Sequence, residues 1–124
     1  MEKISDLQKK AVDYFIVASF SERIGKFDVA CTNYFKSLAA INDFVLSKKN
    51  LFSKDHNERF IMLKENESFL YKMTSSLFVT YRRTYTKNID KEEIEMLKEK
   101  LKEAFEYAKI KIPDDAEVEK YFKK

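Results

Sequence analysis

The chain has one glycine, one proline, one cysteine, one histidine and no tryptophan. Each scarcity excludes something. Sheet-rich folds turn at short intervals, and Gly and Pro supply most of those turns. A chain almost without them turns rarely and must run in long helices. The single glycine also excludes a Gly-rich phosphate loop. Cys31, being alone, cannot close an intrachain disulfide, which fits a reducing cytoplasm. It lies in an apolar run, where a cysteine reads as a small core residue rather than as a reactive thiol. There is one His and one Cys, and no HExxH-type or Glu-x-x-His pair on a helix, so no metal or cofactor is expected.

Long apolar runs are missing too. None approaches the roughly 18–20 residues that span a bilayer, and no membrane association is expected. The segment Met1 to Asp6 begins an amphipathic pattern instead of a signal-peptide core. Charge of one sign is also scarce: 24 basic and 21 acidic side chains leave a net +3. A whole-molecule field therefore gives no argument for nucleic acid, and only local clustering could.

What remains is a chain of 124 residues, 44% apolar, with 11 Phe and 7 Tyr. That is one domain with enough apolar material for a core. Ile4, Leu7, Ala11, Tyr14 and Ala18 recur at helical spacing and predict a first helix from Lys3 to Arg23, stopped by Gly25. Phe27, Ala30, Tyr34, Leu38, Ile41 and Val45 predict a second, to Ser47. A further row of Cys31, Phe35, Ala39 and Phe44 widens its apolar face, so this helix should be central.

Asp55 with Glu58 reads as an N-terminal cap. Phe60, Leu63, Leu70, Met73, Leu77 and Tyr81 then hold one register to Arg83. A continuous third helix is the expectation, with Glu65 to Ser68 the place where it would kink or break. Asp90 with Glu93 repeats the cap. Ile94, Leu97, Leu101, Ala104, Phe105 and Ala108 carry a fourth helix to Ile110, which Pro113 ends. The fold class is thus all-α: an antiparallel, up-down four-helix bundle over residues 1–111. Residues 112–124 form a short C-terminal helix or tail.

Alternating helix directions place the turns at Gly25 and Asn88 at one end of the bundle. Arg23, Lys26, Arg82, Arg83 and Lys87 gather there. The segment Tyr81 to Lys87 carries the densest chemistry. Arginine forks bind phosphate oxygens, tyrosine rings stack on bases, and the Thr84 and Thr86 hydroxyls add phosphate donors. Arg82, Arg83, Tyr85, Lys87, Arg23 and Lys26 are therefore the candidate ligand- or RNA-binding residues. The plain alternative is that last-turn cations serve the helix dipole, at about 0.3–1 kcal/mol each. His56 reads as a solvated or capping-region residue. On one unbroken helix it would stand about 40 Å from Arg82, at roughly 1.5 Å per residue.

Taken together, the chain resembles the HEPN domains, small archaeal and bacterial four-helix proteins. The resemblance rests on Gly25 closing the first helix, Lys26-Phe27-Asp28-Val29-Ala30 opening an aromatic and Ala-rich second one, and Lys54-Asp55-His56 before the third. It ends with Tyr81-Arg82-Arg83-Thr84-Tyr85 ahead of an acid-capped fourth helix. It implies a homodimer, in some members paired with a minimal nucleotidyltransferase in toxin–antitoxin systems, and in many a ribonuclease. Nuclease members place a His four to six positions after their Arg, and this chain has none from Tyr85 to Ile89. The expectation is a non-enzymatic binding module that contacts nucleotide, RNA or a partner protein through its arginine pole, with no catalytic residue. The alternatives are a ribonuclease or toxin component with a variant, His-less site of Arg82, Arg83 and Tyr85, and a scaffold or antitoxin-side partner of a nucleotidyltransferase.

Overall fold

The computed structural model describes residues 4 to 121, with side chains from Asp6 onward, so the expected core role of Ile4 lies outside the described side chains. The described residues form six helices and no strand: α1 (Ile4–Arg23), α2 (Phe27–Ser47), α3 (His56–Asn66), α4 (Ser68–Arg83), α5 (Lys91–Ala108) and α6 (Asp115–Glu119). No helix among them is long and apolar enough to cross a membrane.

A chain with one glycine still has to leave its helices. It does so three times through the same backbone device, a left-handed residue just past the helix end. Gly25 (φ 76°) closes α1, with Lys26 N–H donating to the Ser21 carbonyl at 2.8 Å. Asn50 (φ 60°) follows α2, with Leu51 N–H on the Leu46 carbonyl at 3.0 Å. Lys109 (φ 59°) ends α5, with Ile110 N–H on the Phe105 carbonyl at 3.0 Å. The sequence places this end at about Ile110, ahead of Pro113; the left-handed Lys109 sets it two residues earlier, at Ala108. The buried Ile110 anchors the turn before the proline is reached.

The helix starts are capped largely as read. Asp55 accepts from Glu58 N–H at 2.8 Å, Asp90 and Glu93 form a reciprocal box, and Asp114 with Glu117 forms another that starts α6.

α2 is the central helix. Its Ala30, Cys31, Tyr34, Leu38 and Ile41 are fully buried, and it packs against α1, α3, α4 and α5. α1 lies against it after the Gly25 turn, tied by Ser37 Oγ donating to the Ala11 carbonyl at 2.6 Å. Phe15, which the stripe on α1 did not include, is buried edge-on to both Tyr34 and Phe105, at 5.5 and 5.3 Å. α4 runs antiparallel to α2, since Tyr81 stacks on Phe35 while Thr74 accepts from Asn42 Nδ2 at 2.9 Å. α5 starts beside the start of α2, where Ile89 N–H donates to Asp28 Oδ1 at 2.9 Å. The turns at Gly25 and Asn88 therefore do share one end.

The largest departure is the third helix. It is two helices, α3 and α4, broken at Glu67 (φ −142°, ψ 76°). The polar run Glu65 to Ser68 is no mere interruption of an apolar stripe, because Glu67 is buried. Its carboxylate takes an ion pair from Lys49 Nζ at 2.6 Å and a hydrogen bond from Tyr107 Oη. Lys49 Nζ also donates to the Asn66 carbonyl at 2.8 Å. With the end of α3 pinned beside the end of α2, α3 lies alongside α2, and residues 48–55 return the chain to its start.

A candidate nucleic-acid interface at the junction of α2, α3 and α4

The break places His56 where the continuous helix would have forbidden it. The His56 ring lies 6.2 Å from the Phe35 ring, and Phe35 is stacked in parallel on Tyr81 at 4.6 Å. The 40 Å separation expected of an unbroken helix is thereby corrected. Phe78 contacts Phe35 at 5.6 Å and Phe60 of α3 at 5.4 Å, joining the three helices through aromatic rings. On the outer side Tyr85 stands edge-on to Tyr81 at 5.8 Å, with the two hydroxyls 3.1 Å apart. Tyr85 is 74% exposed. The hydrogen bond to Tyr85, then burial, raises the Tyr81 phenol above its usual pKa.

The candidate cations have separate fates. Arg23 pairs with Glu119 and Asp115 at 3.4 and 3.8 Å, which ties α6 to the end of α1. Arg83 donates to Glu93 Oε2 at 2.5 Å, which ties α4 to the first turn of α5. Both arginines are thus engaged in joining helices. Arg82 is not: its guanidinium lies 5.8 Å from the Phe78 ring, and no described carboxylate pairs with it. Arg82 and Arg83 line a shallow depression with Val79 and Thr86. Thr84 Oγ1 donates to the Tyr81 carbonyl at 2.7 Å, so that hydroxyl finishes the helix. Lys87 is exposed beyond it.

Lys26 is exposed at the start of α2, where it offers no side-chain cap. Asp28 acts in that first turn and spans to Ile89. A second hollow lies between the two turns, lined by residues 25–29 with Asn88 and Ile89. Lys26 is thus on the same end of the molecule as Arg82 and Lys87.

Sequence reasoning missed Arg59. Its Nε and Nη2 donate to the two oxygens of Asp43 at 2.8 and 2.9 Å, while Nη1 donates to His56 Nδ1 at 2.8 Å. Ser53 Oγ also donates to Asp43, at 2.9 Å. Partial burial and then the Arg59 charge lower the His56 pKa below 6.5. His56 and Arg59 share one helix face at i, i+3, a signal visible in the sequence. Asp43 comes from another helix and gave none.

Cys31 is fully buried, and burial pushes its pKa up to about 12, so the thiol stays protonated. Compared with protein-family models, with curated proteins and with solved structures, the chain matches none.

Proposed function

We propose that the chain is a non-catalytic, HEPN-like binding module that holds single-stranded RNA on the surface formed by Arg82, Tyr85, Lys87 and Lys26. In this reading α1, α2, α4 and α5 form an up-down four-helix core, and α3 is an addition folded against α2. The observation that carries the proposal is the pairing of Arg82, a guanidinium with no described carboxylate partner, with the exposed Tyr85 ring on the Phe35–Tyr81 stack. Stacking on aromatic rings and charge on the backbone are the two terms from which single-strand binding is built. Arg23 and Arg83 take structural roles, through their ion pairs with α6 and with Glu93.

The test is anisotropy of a labelled RNA octamer at two salt concentrations. Arg82→Ala is expected to weaken binding about five- to tenfold and to flatten the salt dependence by about one ion. Weak, salt-insensitive binding that is identical in wild type and variant overturns the reading.

The HEPN likeness adds a second copy of the chain and a minimal nucleotidyltransferase as proposed partners, and a cytoplasmic setting. A monomer at micromolar concentration in sedimentation equilibrium removes the first partner. Failure to co-purify a nucleotidyltransferase from the native host removes the second.

A further inference from the structure

We infer that His56 is a base-reading residue of this surface, a fixed neutral hydrogen-bond donor that recognises the edge of an unpaired nucleobase and not the phosphodiester backbone. The inference rests on the RNA-binding reading above.

Arginine has donors only, so the 2.8 Å contact from Arg59 Nη1 makes His56 Nδ1 the acceptor. In the neutral ring Nε2 then carries the proton. Asp43 holds Arg59 through two parallel bonds and is itself held by Ser53, so the guanidinium cannot swing away at no cost. Asp43 and Arg59 are thus positioning residues that set the tautomer of the imidazole.

The same lock decides what His56 can do. Its Nδ1 lone pair is committed to Arg59, and Nε2–H has no lone pair to offer. The ring can give a hydrogen bond, but it cannot take a proton from a ribose hydroxyl without first breaking the Arg59 contact. That separates it from a general base, although the break in the third helix has carried it beside the aromatic strip.

Among the described residues no protein group pairs with His56 Nε2, and the side chain is exposed. Its ring lies against the buried Phe35, which stacks on Tyr81, and Tyr81 in turn meets the exposed Tyr85, so the donor belongs to the same aromatic strip, two rings from the ring on which a base would stack. A donor there meets base edges. Phosphates are met by Arg82 and Lys87.

The experiment compares an RNA octamer of uridine with an octamer of the same backbone lacking bases, using wild type, His56→Ala and Arg59→Ala. Long-range proton–nitrogen NMR of the imidazole accompanies the titrations. Wild type is expected to show the Nε2–H tautomer. His56→Ala is expected to bind the uridine octamer about three- to tenfold more weakly, the worth of one hydrogen bond, and Arg59→Ala by less, since part of its imidazoles keep Nε2–H; both should bind the abasic octamer unchanged. Arg59→Ala should also give a tautomer mixture.

Equal loss on both octamers makes His56 a phosphate ligand and overturns the inference, as does no loss on either. An Nδ1–H tautomer in wild type also overturns it. Failure of wild type to bind either octamer removes the RNA reading itself, and the base-reading role with it. Arg82→Ala serves as the reference, since it should weaken both octamers alike.

Discussion

His56 of α3 and Tyr81 of α4 both rest against one ring of α2, that of Phe35, at centroid distances of 6.2 and 4.6 Å. One residue opens α3 and the other lies in the last turn of α4, so they meet only because the chain reverses between those helices. The reversal is at Glu67, and its cause is a carboxylate with partners on two other elements. Lys49 comes from the end of α2 and Tyr107 from α5.

Glu67→Ala should therefore lower stability by about 1–3 kcal/mol, the cost of leaving hydrogen-bonded and charged groups without a partner. Glu67→Gln should recover part of the loss, because an amide oxygen still accepts from Tyr107 and Lys49. Urea unfolding followed by circular dichroism checks both. An unchanged midpoint for Glu67→Ala would show that the break is set elsewhere.

His56 supplies a pH prediction. Partial burial and Arg59 lower its folded pKa, while Asp43 and Asp55 oppose them more weakly. The folded state thus binds the proton less well than the unfolded chain. Full stability is present above about 6.5, the unfolded value. Loss begins as pH falls through it and is complete once pH is below the lowered folded value. An NMR titration should place the imidazole pKa below 6.5 in wild type and closer to 6.5 in Arg59→Ala.

Lys109 holds a left-handed conformation that a β-carbon disfavours. Lys109→Gly should raise stability by about 0.5–1 kcal/mol, since this position ends α5 and a glycine there loses no described contact. A higher thermal midpoint is the expected result.

Cys31 should resist a disulfide reagent at pH 8. A thiol that is fully buried, with its pKa raised to about 12, exposes neither sulfur nor thiolate. Its reaction rate should follow global unfolding and rise with denaturant.

Much of the fold was legible in the sequence. Helical spacing located the α2 and α5 stripes, and every residue named on α5 is buried. Asp55, Asp90 and Gly25 marked helix ends through chemistry confined to three or four residues. Glu67 was not legible in the same way, since a lone Glu between Asn66 and Ser68 reads as solvated. Its burial depends on Lys49 and Tyr107, distant in sequence, and that long-range pairing is what turned one expected helix into two. The site followed the same division. The coincidence of the Gly25 and Asn88 turns came from helix alternation alone. The commitments of Arg23 to α6 and Arg83 to Glu93 needed three dimensions, as did the approach of His56.

Single-stranded RNA, in the proposed function, occupies the surface around Arg82 and Tyr85. Nitrogen-labelled protein titrated with an unlabelled uridine octamer tests it directly, residue by residue. Saturable shifts are expected at Lys26, His56, Tyr81, Arg82, Tyr85 and Lys87, with α1 around Val17 undisturbed. Absence of shifts, or shifts confined to the α1 face, would contradict it.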